Sequence, residues 1–173
     1  MVFGVVLALA ANEWRQNVKA DALADSARDS IIAELQANLE LIQVSHQYHT
    51  QQIQMLQAKL QSGQKPTMND FPKGFISPAW VTDTAWEVAK ATGVLADMDY
   101  QTVLVLSAAY DRLEHYGKQS DVAGHHLYGI LFNEGSTSIL DKPANLLTIL
   151  YTFIYREMQA TESLENTLKQ MEN

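Results

Sequence analysis

His46 and His49 lie three residues apart, which puts them on one face of a helix. Two imidazoles on successive turns can ligate a metal, and His115, His125 or His126 could complete the set. The plainer account is that two polar residues interrupt an apolar seam and fix its register. A carboxylate-bridged di-iron bundle needs Glu three positions before His. Gln43, His46, Arg112, Val122 and Ala123 occupy those positions, and there is no HExxH. The metal expectation is therefore none, with His46 and His49 as the weak candidates. His125 and His126 are adjacent, about 100° apart on a helix, and suit a solvated or helix-end role. Trp80, Trp86 and Tyr110 are the candidate ligand-binding residues, since aromatic side chains can line a pocket. Core anchoring is the alternative use of the same rings. Tyr100, Tyr116, Tyr128, Tyr151 and Tyr155 add to the supply.

No nucleophile elbow, phosphate loop or dinucleotide glycine fingerprint occurs. The absence of cysteine removes thiol nucleophiles, disulfides and thiolate-held metals. No catalytic residue and no cofactor is expected, and the chain reads as non-enzymatic. Its net charge of −8, with 12 scattered Lys and Arg, argues against nucleic-acid binding. At 173 residues and 47% apolar it can bury a sizeable core.

These side chains must be positioned by helices, because the 8 Gly and 4 Pro cluster between long Ala-, Leu-, Gln- and Glu-rich stretches. The longest stretch runs to about Ser62. Ile31, Leu35, Leu39 (or Asn38), Ile42, His46, His49, Ile53, Leu56 and Leu60 form an a/d-type stripe, with a glutamine-rich outer face. A coiled-coil-like helix is expected, packing on a partner chain or projecting from a membrane. GQKPTMNDFPKGFISP then reads as a loop. Ser77 and Pro78 read as a helix start, with Gly93 as its stop. Asp97 or Asp99 caps a further helix that ends near Gly117, and a short helix follows Ser120 or Asp121. NEGSTS is a turn, and a last helix begins near Pro143. The expected fold is all-α, a long N-terminal helix with three to four further helices in a bundle.

The opening MVFGVVLALAANEWRQN holds ten apolar or small residues before Asn12. Ten residues span about 15 Å as a helix, half of the roughly 30 Å of bilayer hydrocarbon. A signal peptide fits poorly, because no basic segment precedes the run. Asn12, Trp14 and Arg15 suit a membrane interface, so the run reads as the second half of an anchor. Gly4 and Ala8, four apart, allow close helix contact. The expected division is a partial transmembrane anchor at 1–16 and a helical bundle domain at 17–173.

GVVLALAANEWRQN with ARDSIIAELQANLELI, and then DTAWEVAKATGVLADMDYQTVLVLSAAYDRL, resembles an uncharacterised bacterial family of short single-anchor membrane proteins. Asn12 and Trp14 match its anchor-end ALxxNxW element; Trp86, Thr92 and Gly93 match its second block. The resemblance implies a single-pass inner-membrane tether with a periplasmic body, and no activity. The functional expectation is a membrane-tethered interaction or scaffold protein, with a protein partner or homo-oligomer. The alternative is a small-molecule-sensing bundle acting through a partner protein.

Overall fold

The computed structural model describes residues 2–172; the side chains of residues 2–6, 8 and 9 lie outside the described set. Among the described residues every regular element is helical. They are α1 (Val2–Gln61), α2 (Thr84–Thr92), α3 (Tyr100–Glu134), α4 (Ser136–Leu140) and α5 (Pro143–Met171), with 3-10 turns at Met68–Asp70 and Val94–Asp97. The all-α expectation, with four helices packed after a long first one, holds.

Residues 5–62 contain no glycine or proline, so nothing breaks the α1 ladder for 60 residues, about 90 Å. The helix stops where Gly63 adopts φ +68, a left-handed turn that a side chain would strain. α1 and α5 run antiparallel: the Arg28 guanidinium donates to the Met171 carbonyl, His49 meets Glu157, and Gln57 donates to the Tyr151 hydroxyl. α3 runs parallel to α1, with Tyr110 opposite Glu34 and Leu127 clustered with Ile53 and Leu56. The fourth column is no helix. Residues 71–83 form a strap that returns antiparallel to α1, kept from helix by Pro72 and Pro78.

Two apolar clusters hold these columns together. One gathers Ile31, Leu35, Ile42, Trp86, Leu106, Leu113 and Leu164; the other gathers Ile53, Leu56, Phe71, Phe75, Leu127, Leu146 and Leu150. Burying each such side chain stabilises by about 1.5–3 kcal/mol. A layer of buried polar residues lies between: Ser45, His49, Gln52, Ser120 and Glu157.

Several expectations need correction. The α1 stripe is consumed within the chain: Ile31, Leu35, Ile42, Ile53 and Leu56 are buried against the chain's other elements. Those five positions are therefore used within the chain, whereas Leu60 at the end of the stripe is exposed. Gln52, assigned to the outer face, is buried. The helix expected from Ser77 starts instead at Thr84, because the backbone of 77–82 is spent on side chains of α1 and α3. Glycine does not end α3 at Gly117. The helix continues through Gly117 and Gly124 because Leu113, Tyr116, Ser120 and Leu127 bury one face on both sides of those positions. That burial outweighs the roughly 1 kcal/mol that each mid-helix glycine costs. Asp99 is the α3 N-cap, accepting from Thr102 N–H at 3.0 Å, and Gly93 closes α2 at φ +75.

No helix among the described residues is long and apolar enough to cross a membrane. The apolar start is the first part of α1, which runs unbroken through residue 16. Residues 10–19 are exposed, Asn12, Trp14 and Arg15 among them, and Ala24 is the first buried residue described on α1. Gly4 and Ala8, the expected helix-contact pair, lie outside the described side chains.

Candidate functional site

An extended strap has no ladder of its own, so its backbone polar groups need partners from neighbouring columns. α1 and α3 supply them in order along the strap. The Tyr48 hydroxyl donates to the Gly74 carbonyl. His49 Nε2 accepts from Ser77 N–H at 2.9 Å, and the Tyr116 hydroxyl accepts from Ala79 N–H at 2.8 Å. Asn38 pairs both ways with Thr82, donating to its carbonyl at 2.7 Å and accepting from its N–H at 2.9 Å. Glu34 accepts from Ala85 N–H at the start of α2, where a carboxylate also complements the helix dipole, and from the Tyr110 hydroxyl at 2.6 Å.

His49 and Glu157 are both fully buried, with Nδ1 and Oε1 2.7 Å apart. Because Nε2 accepts a backbone N–H, the ring proton sits on Nδ1 and is donated to the carboxylate. His46 reaches the other oxygen of Glu157 only at 3.5 Å, and that oxygen has no hydrogen-bond partner. The two histidines thus converge on one carboxylate. Both nitrogens of His49 are engaged, so no lone pair is left for a metal. Among the described residues no group of three or more His, Asp or Glu is arranged to hold one.

Of the three expected ligand-binding aromatics, the fold brings two together. Trp86 stacks on Tyr110 with centroids 5.2 Å apart and planes 10° apart, and both are buried in the first cluster. They form the floor of a surface groove rimmed by Asp83, Glu87, Lys90, Glu114 and Lys118. Trp80 is not with them. It sits in the strap, 86% exposed, in a separate groove that Tyr128 also lines.

A further concavity was not anticipated from sequence. It is a cleft of about 440 Å³ between α3 and α5. α3 contributes Tyr116, Gln119, Ser120, Val122, Ala123 and His126; α5 contributes Ile149, Thr152, Phe153 and Arg156. Its walls are mostly apolar in area, with polar side chains such as Gln119, Ser120, His126, Thr152 and Arg156 among them, which is the composition of small-molecule sites. Two wall residues reach the buried layer. Phe153 packs on the His49 ring with centroids 5.1 Å apart, and Tyr116 holds the strap at Ala79. The spacing Ser120–Ala123 opposite Thr152–Arg156 was visible in the sequence, but nothing there said that these faces oppose each other.

Burial pushes the Tyr116 hydroxyl up to about 12, and the charge of Glu157 adds to the effect. Burial also raises Tyr110, with the Glu34 carboxylate holding its proton. An unfolded tyrosine ionises near 10, so the folded state keeps protons that the unfolded state loses. The stabilisation is full below pH 10 and disappears as pH rises toward 12. The expected loss from Tyr116 is on the order of 2–3 kcal/mol over that range. Urea unfolding at stepped pH measures it, and in Tyr116→Phe the decline should be shallower.

Comparison with protein-family models, curated proteins and solved structures yields no match to this chain. The function is therefore read from geometry.

Proposed function

We propose that the protein is a non-enzymatic helical module that binds a small, mostly apolar molecule in the α3–α5 cleft and acts through a protein partner. The observation that carries this reading is the cleft itself. Its volume lies within the roughly 300–1,000 Å³ of small-molecule sites, and its walls are mostly apolar with some polar side chains among them. An occupant would touch Tyr116 and Phe153, which support the strap and the buried pair behind it. Occupancy would thus be felt at the strap, where Trp80 is presented to solvent.

The neutral probe N-phenyl-1-naphthylamine tests the reading. Its fluorescence should rise on binding the wild-type chain, and the rise should be lost in Ala123→Trp, which fills the cleft. An equal rise in the variant, with its fold intact by circular dichroism, would place the probe elsewhere and remove the reading.

The interaction-scaffold reading is second, and one observation favours it. Trp80, Tyr128 and Phe132 are 86%, 61% and 83% exposed, and the last two stack at 6.2 Å. Exposed aromatics in a cluster mark contact surfaces. The projecting start of α1 is the natural tether in either reading; an anchored form would need apolar sequence beyond the run described.

A further inference from the structure

We infer that the ligand of the α3–α5 cleft is an organic acid: an apolar body with one anionic head, held by Arg156. The inference rests on the cleft being a ligand site and adds the chemical class. It starts from a contrast in charge. The chain carries 20 Asp and Glu against 12 Lys and Arg. Yet neither the cleft nor the small cavity that adjoins it has a carboxylate in its lining. The two share Tyr116, Gln119 and Arg156, so they lie side by side. The adjoining part adds Arg112 and His115. The groove over Trp86 and Tyr110 differs: it is lined by five carboxylate residues and two lysines. The cleft is thus a cationic pocket in an acidic protein.

Arg156 is the focus. It is half-buried at the junction of the two cavities. Its guanidinium lies over the Tyr155 ring, 5.6 Å from the centroid, and donates one long bond, 3.3 Å, to Gln159 Oε1. It makes no ion pair with a carboxylate among the described residues. Its Nε is buried and without a partner. A buried donor without an acceptor costs about 1–3 kcal/mol, more for a charged group. A guanidinium with an unsatisfied Nε–H and no ion-pair partner is a group that a carboxylate can meet with two parallel bonds. Val122, Ala123, Ile149 and Phe153 then take the apolar body.

Decanoate and decanol share an alkyl body and differ in the head. Calorimetric titration of the full chain with each, below their aggregation concentrations, tests the inference. Decanoate should bind at least tenfold more tightly than decanol. Arg156→Gln should abolish that preference while leaving decanol affinity within about twofold. Ala123→Trp should abolish binding of both. Equal binding of acid and alcohol to the wild type, lost in Ala123→Trp, would overturn the anionic head and leave the cleft standing as a ligand site. Decanoate binding that survives Ala123→Trp, or absence of binding by either compound, would overturn both. Thermal unfolding of each variant identifies any loss that comes from misfolding.

Discussion

His49→Ala should lower the free energy of unfolding by about 3–5 kcal/mol, the range for leaving a buried charge without its partner. The size follows from what is stranded. Glu157 is fully buried, and the Nδ1–H of His49 is its one close donor. Its second oxygen already lacks a hydrogen bond. Ser77 N–H loses its acceptor in the same step. A cavity beside Phe153 adds to the loss. Removing both partners should be gentler than the sum of the single changes. In His49→Leu with Glu157→Leu, only the Ser77 N–H is orphaned, and two apolar side chains fill the layer. The double-mutant cycle should therefore show a coupling of several kcal/mol by urea unfolding, with m-values unchanged. Strict additivity would mean that the 2.7 Å contact carries no net interaction.

The polar layer also marks the limit of what the sequence disclosed. α1 was legible almost to the residue, because its propensity, apolar period and Gly63 stop all agree. Pro143, Gly93 and Asp99 marked helix ends for the same local reasons. The start of α2 was misread because Ser77 and Pro78 form a sound local cap signal. It is overridden by acceptors 28 and 37 residues away, on His49 and Tyr116. Gly117 was misread as a stop because its penalty is local, whereas the burial that outweighs it comes from packing against α1 and α5. The interruptions of the α1 stripe were visible as Asn38, His46 and His49. Their purpose was not, since a strap that needs side-chain partners leaves no periodic trace. Glu157 and Arg156 are neighbours in α5 with opposite assignments, one facing the core layer and the other the cleft. Nothing in a single helix distinguishes those two faces until its neighbours are known.

Asn38→Ala should destabilise by about 2–4 kcal/mol, and its effect should concentrate on the strap. The side chain is fully buried and satisfies both backbone groups of Thr82. Truncation orphans one donor and one acceptor, each worth about 1–3 kcal/mol when left without a partner. Part of that is recovered if the strap lifts and lets water reach Thr82. Lifting is feasible because the hydrogen bonds beyond this point are single ones, to Tyr116, His49 and Tyr48. Native-state hydrogen exchange separates the two routes. A lifted strap gives faster exchange at Ala79 and Thr82 while α1 and α5 keep their protection. A global effect lowers protection everywhere by the same free energy. The distinction bears on the cleft, because Tyr116 is both a cleft wall and the acceptor for Ala79. Release of the strap frees the Tyr116 hydroxyl and loosens one wall, so Asn38→Ala should weaken probe binding although Asn38 does not line the cleft. Unchanged probe affinity together with fast Thr82 exchange would mean that strap and cleft are independent. The route from ligand to Trp80 would then fail even if the cleft binds.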